Sequence, residues 1–142
     1  MTTLREAVAE DVGALNEMVT AFVQKPCQMT RAQLEAYLTL PDQHVAVSCD
    51  DDGKLDGFLE WTVWRPSLSF SGKVCFIQSV YVKEAVRQNG IGGALLDYVK
   101  NWARNNGCSV LHLETSSKDA LEFYKKRGYT ECNSGLYCAV TK

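Results

Sequence analysis

The chain has 142 residues, 46% of them hydrophobic and 23% charged, with 15 Lys or Arg against 17 Asp or Glu and a formal net charge of −2. That is the length of one domain, 1–142, large enough to bury a core without staples. Three features together point to a soluble, cytoplasmic domain that meets neither nucleic acid nor membrane. There is no basic block to neutralise phosphates, no apolar run of the roughly 18–20 residues a membrane helix needs, and no basic-then-apolar start over Met1-Thr-Thr-Leu-Arg-Glu.

Leu4 to Val8 reads as a first strand, and Val12, Leu15, Val19, Phe22 and Val23 recur at helical spacing from about Asp11. A second helix starts at Thr30, with Gln33 three residues on as a capping box, and stops before Pro41. His44 to Cys49 alternates, with Val45, Val47 and Cys49 on one face. Asp50-Asp51-Asp52-Gly53 is a turn, and Leu55 to Trp64 is the returning strand. Val74 to Val82 is nearly continuous in apolar character, the pattern of a sheet interior. Gly90 opens a helix with the stripe Ile91, Ala94, Leu95, Tyr98, Val99, Trp102 and Ala103, and Gly107 stops it. With Cys108 to Thr115 as the next strand, this is a strand–helix–strand crossover, so its two strands should run parallel. Ser116 or Ser117 caps a short helix through Arg127, and Tyr129 to Lys142 reads as one or two closing strands. The class is α/β with a mixed sheet and about four flanking helices.

The six cysteines form no CxxC pair, and His44 and His112 stand alone, so no metal site is expected. Cys49, Cys75, Cys108 and Cys138 lie in strand-like runs, where a reduced cysteine behaves as a small hydrophobe.

The chemistry concentrates in Arg87-Gln88-Asn89-Gly90-Ile91-Gly92-Gly93, between a buried strand and a long helix. Three glycines in four residues weaken a helix by roughly 1 kcal/mol each in an interior, and a turn alone needs only one. At a helix N-terminus they let backbone N–H groups approach an anion, and Arg87 adds a cation at the mouth. The ligand should carry a phosphate or pyrophosphate. No Lys follows the glycines as a Walker loop requires, and Leu95 stands where the dinucleotide fingerprint has its third glycine, which disfavours a nucleotide-binding oxidoreductase.

Arg87-x-x-Gly90-x-Gly92 after Val80-Tyr81-Val82, followed by Ala120-Leu-Glu-Phe-Tyr124-Lys-Lys-Arg-Gly-Tyr129, resembles the two coenzyme-A motifs of the GNAT superfamily of acyl-CoA-dependent N-acyltransferases. The resemblance implies two parallel central strands that splay apart, with acetyl-CoA as cosubstrate lying between them. It implies that Val80, Tyr81 and Val82 meet the pantetheine through backbone groups. The N–H groups of Gln88, Asn89, Gly90, Ile91, Gly92 and Gly93 would hold the pyrophosphate beside Arg87, with Ser117 and Ala120 on the other side. Tyr124 would protonate the departing thiolate, as a positioned phenol can.

An alkylamine of pKa about 10.4 must lose a proton before it attacks. Where many relatives place a Glu on the central strand this chain has Gln78, which can orient a water but not accept a proton, so Glu60 on the preceding strand is the nominated carboxylate. Glu114 is a weaker candidate, and His112 reads as a sheet histidine. The implied acceptor pocket draws on Gln24–Thr30, Arg65–Gly72 and Asn133–Tyr137, with Lys25, Trp64, Arg65, Phe70 and Tyr137 around it. Leu113-Glu-Thr-Ser-Ser resembles branches that acetylate small amines such as polyamines and aminoalkylphosphonates. Protein N-terminal or lysine acetylation, aminoglycoside modification and a non-catalytic acyl-CoA-binding module are the alternatives. The apolar segment Leu136–Val140 near a sheet edge, together with the resemblance, implies a homodimer.

Overall fold

The computed structural model describes residues 2–66, 68–69, 71–132 and 138–140. In chain order it contains β1 (Thr3–Glu6), α1 (Val12–Val23), α2 (Arg31–Leu38), β2 (Gln43–Cys49), β3 (Leu55–Trp64), β4 (Lys73–Val82), α3 (Ile91–Asn105), β5 (Cys108–Leu113) and α4 (Lys118–Lys126). The five strands form one sheet in the order β1-β2-β3-β4-β5. Neighbours are antiparallel except β4 and β5, which run parallel as the crossover requires.

Local chemistry sets the helix starts. Thr30 accepts the Gln33 N–H at 3.1 Å while the Gln33 side chain accepts the Thr30 N–H at 2.9 Å, completing the capping box of α2. Gly90 precedes α3 with φ +83°, a left-handed conformation that only glycine adopts without strain. Ser117 caps α4 by accepting the Ala120 N–H at 3.3 Å.

The sheet separates two cores. On one face α3 buries Ile91, Leu95, Leu96, Val99 and Ala103 against Ala46, Leu59, Trp61, Cys75 and Ile77. On the other, α1 and α2 bury Leu15, Met18 and Leu34 against Val45, Val47 and Phe58. The alternation of β2 and β3 thus decides which side chains face which helices.

Strand β4 does not keep this alternation. Glu60 pairs with Ser79 but Trp61 pairs with Ile77, so Gln78 is an extra residue in a β-bulge. Its pairing with β5 ends at the same place, at Ile77 opposite Leu113, while β4 continues to Val82. A bulge bends its strand and increases the local twist, and this one lies next to the point where β5 ends at Leu113.

The closing strands expected over Tyr129–Lys142 are not formed by the described residues of that stretch, 129–132 and 138–140. Val140 is 94% exposed and Cys138 is exposed as well, so no burial is available there to hold a strand, which also corrects the core placement of Cys138. The remainder of the stretch, with Leu136 and Tyr137, lies outside the described residues.

Candidate active site

Because β5 ends at Leu113 while β4 runs on, the β5 side of β4 is unpaired among the described residues from Gln78 to Val82. Backbone donors and acceptors along such an edge need partners, and an extended ligand with amide groups supplies them. One group is already taken. The Val82 carbonyl accepts from Arg87 Nε at 2.8 Å, and the guanidinium lies over the Tyr81 ring, 5.5 Å from its centroid. The Tyr81 ring itself turns toward α1, against Phe22 and Phe58, so its contribution to a ligand is limited to the backbone.

The open edge leads to the N-terminus of α3. The N–H groups of residues 88 to 93 find no acceptor among the described residues, and the first turn of α3 adds the positive end of its dipole. The glycines there differ in their work. Gly90 supplies the left-handed turn. A Cβ on Gly92 would stand 3.7 Å from Phe123 Cζ and 3.9 Å from Val82 Cγ2, in ordinary contact. A Cβ on Gly93 would lie 2.6 Å from Arg127 Nη1, because Arg127 folds over that position to bond the Gly93 carbonyl at 3.1 Å and Asp97 at 3.0 Å. A side chain on Gly93 would thus displace only the flexible guanidinium of Arg127, and Ile91 is buried and offers only its backbone.

Docking of α4 brings Tyr124 against the α3-side core, with the Tyr129 ring 5.6 Å away. Burial pushes the Tyr124 phenol above its ordinary pKa, so it keeps its proton at neutral pH. Its hydroxyl has no hydrogen-bond partner among the described residues. The neighbouring Tyr129 hydroxyl is fully enclosed and also unpartnered, and burial with the nearby Tyr124 pushes it up to about 12. Tyr124 is thus a protonated phenol packed against the same core cluster that Val80 and Val82 join.

Across the bulge lies the opposite face. Because Gln78 is extra, Gln78 and Ser79 both project to the α1/α2 side. Ser79 donates to Glu60 Oε1 at 3.2 Å, and Gln78 meets Thr62 Oγ1 at 2.8 Å. Tyr37 from α2 donates to Glu60 Oε2, and the same hydroxyl lies 3.0 Å from Gln43 Oε1, which in turn meets Thr62 Oγ1 at 2.8 Å. Gln78, Thr62 and Glu60 therefore belong to one polar chain that also contains Tyr37, Gln43 and Ser79. Beyond it, Trp64 stacks on Phe76 at 4.8 Å and Phe76 on His112 at 5.4 Å, with Trp64 half exposed. His112 is a sheet histidine in this stack, with Glu114 3.9 Å from its Nε2. Glu114 itself is exposed and lies outside the polar chain. Arg65 pairs with Asp42 at 2.9 Å. Phe70 and Asn133–Tyr137 fall outside the described residues.

A separate cavity of about 400 Å³ between the end of α3, β5 and the segment after α4 is lined by Lys100, Arg104 and Arg127 and contains none of the expected site residues. Among the described residues, no group of three or more His, Cys, Asp or Glu could hold a metal ion, and no helix is long and apolar enough to cross a membrane.

The model of the acetyltransferase (GNAT) family matches residues 12–129. The chain belongs to the GNAT acetyltransferase family. The aminoglycoside N(6')-acetyltransferase type 1 of Klebsiella aerogenes is 28% identical over 112 residues, 74% of this chain and 73% of that protein. A Trypanosoma brucei acetyltransferase structure superposes with a TM-score of 0.86 at 20% identity, covering 99% of this chain and 100% of that one. An aminoglycoside acetyltransferase from an uncultured soil metagenomic sample, crystallised with sisomicin, superposes with a TM-score of 0.84 at 15% identity, covering 99% and 96%. As a member of the family, this chain is an N-acetyltransferase. Of the two motifs quoted from the sequence, one lies at the start of α3 and one along α4.

Sequence reasoning missed Tyr37, Gln43, Thr62 and Ser79. A signal for the bulge was present. Cys75 and Ile77 face α3, and so do Val80 and Val82, so the apolar spacing in β4 jumps from two to three at Gln78-Ser79.

Proposed function

We propose that this chain transfers an acetyl group from acetyl-CoA to a primary amine of a small molecule, by direct attack of the amine on the thioester. The observation that carries the reading is the unpaired edge of β4, which runs from the bulge to Val82, 3.9 Å from the Cβ position of Gly92 at the start of α3, where the N–H groups find no acceptor among the described residues. The residues present fit coenzyme A: an amide-bearing arm suits the open edge, and a pyrophosphate suits residues 88–93 with the dipole of α3. Acetyl-CoA supplies the activated acetyl group.

The chain's own groups then divide the proton work. As the C–N bond forms and the C–S bond breaks, Tyr124 gives its proton to the departing sulfur. On the other face the amine's proton passes through a water oriented by Gln78 to Glu60, the carboxylate of the polar chain. Ser117 and Ala120 are engaged in capping α4, so their role is to hold Tyr124 in place. The relatives named as aminoglycoside acetyltransferases support a small-molecule amine. The Trp64–Phe76–His112 stack beyond the polar chain offers aromatic faces that suit a flat or cationic acceptor.

Thiol release from acetyl-CoA, measured with a panel of arylalkylamines, polyamines and aminoglycosides, tests this. Tyr124→Phe should lower kcat on the best amine by about 10²–10⁴-fold while acetyl-CoA affinity stays within twofold of wild type. Full turnover by Tyr124→Phe would return Tyr124 to a packing role, and no release with any amine would remove the small-molecule reading.

A further inference from the structure

The polar chain on the α1/α2 face has more acceptors than protons as its atoms lie, and resolving that count assigns a role to Tyr37. The Tyr37 hydroxyl carries one proton and faces two oxygens, one on Glu60 and one on Gln43. Thr62 likewise faces Gln43 and Gln78 with one proton. A bond to a charged carboxylate is roughly twice as strong as one between neutral groups, so the phenol proton goes to Glu60. Gln43 then satisfies both hydroxyl oxygens by turning its amide NH₂ toward Tyr37 and Thr62, and Thr62 donates onward to Gln78. Every group is satisfied in this one arrangement. Its two ends are Glu60 and the exposed bulge residue Gln78.

We infer that Tyr37 is a positioning residue for the transfer: its hydroxyl aims the Glu60 carboxylate at the acceptor side of the bulge, so that the placement of α2 sets how well the amine's proton is taken. This rests on the reading that Glu60 receives that proton. Glu60 accepts from a hydroxyl on each side, Tyr37 on Oε2 and Ser79 on Oε1, and no ion pair involves it among the described residues. Of the groups facing it, Tyr37 from α2 is titratable, whereas Ser79 and Gln78 from β4, Thr62 from its own strand and Gln43 from β2 are neutral. Asp42, just before β2, and Arg65, just after β3, are paired with each other. Burial, with Glu60 beside it, pushes the Tyr37 phenol above its ordinary pKa, so it remains a donor through the working range. The Tyr37 ring packs with the α1/α2-side core, so Tyr37→Phe removes the hydroxyl and keeps the packing.

The test is kcat and KM with the best amine for wild type, Tyr37→Phe, Tyr37→His and Glu60→Gln. Without the hydroxyl the carboxylate loses the bond that aims it, so Tyr37→Phe should lower kcat about tenfold. The KM for acetyl-CoA should stay within twofold. Tyr37→His, which restores an N–H donor, should recover part of the rate, and it carries the test if Tyr37→Phe does not fold. Wild-type kcat in both Tyr37 variants, with a large loss in Glu60→Gln, would overturn the role of Tyr37 and leave Glu60 as the base. A wild-type rate in Glu60→Gln would overturn the base assignment and the inference with it.

Discussion

Gly92→Val separates what the start of α3 does for the fold from what it does for the cofactor. A Cβ at this position meets nothing closer than Phe123 Cζ at 3.7 Å and Val82 Cγ2 at 3.9 Å, and the backbone there has no positive φ. Removing a glycine from a helix gains at most about 1 kcal/mol, and β-branching returns part of that. Stability should therefore stay within about 1 kcal/mol of wild type by urea denaturation. Binding should not. The new side chain would rise between Val82 at the end of β4 and Phe123 on α4, the gap an arm must cross from the open strand edge to the helix N-terminus. A displaced pyrophosphate should weaken acetyl-CoA by at least tenfold, a loss of about 1.4 kcal/mol or more, read by titration calorimetry. Gly90 offers the contrast. Nothing lies within 4 Å of its Cβ position, and the φ of +83° makes any side chain there a strain of about 1–2 kcal/mol on the fold itself. A stable Gly92→Val protein that binds acetyl-CoA as wild type does would refute the assignment of the α3 N-terminus to the pyrophosphate.

Gly57→Ala should cost about 1–3 kcal/mol in urea denaturation, because its Cβ would stand 2.7 Å from Ser48 Oγ, itself held at 2.6 Å to the buried Asp56, and 3.0 Å from the Tyr81 carbonyl. Asp11 should matter for acid stability. The Arg5 guanidinium, bonded at 2.8 and 2.9 Å, holds its carboxyl below the ordinary range, so the stabilisation is present above an unfolded pKa of about 3.9 and is lost as pH falls through the lower folded value. The urea midpoint of wild type should exceed that of Asp11→Asn by a constant margin from pH 7 to 5, and the margin should shrink below about pH 4.

The elements that repeat a period were legible in the sequence. The α3 stripe, the alternating β2 and β3 and the Thr30 capping box all appear within a residue or so of their expected places, because each depends on neighbours along the chain. The motifs of the proposed cofactor side could be quoted from the sequence for a related reason, since each is contiguous, and the helices that carry them form where expected. The acceptor side was not, because its groups come from α2, β2, β3 and β4 and meet only through strand register. Tyr37 carried a faint signal, as a phenol on the inner face of α2 needs a partner for its hydroxyl, but nothing local names Glu60 as that partner. The C-terminal run was read as strand from its apolar residues; of it only 129–132 and 138–140 are described, and these form no strand, with Val140 exposed.

The bulge at Gln78 ties the two sides together. A strictly alternating β4 would continue its Cys75–Ile77 face into Ser79 and Tyr81 and turn Val80 and Val82 toward α1 and α2. The extra residue reverses this. Val80 and Val82 join the α3-side core, Tyr81 packs with Phe22 and Phe58, and Gln78 and Ser79 come together on the acceptor face within reach of Thr62 and Glu60. The same residue marks where β4 leaves β5 and the open edge begins. One inserted position thus lies where the β4–β5 pairing ends and gathers Gln78, Ser79, Thr62 and Glu60 on the α1/α2 face, which is why the polar chain ends at the point where the sheet opens.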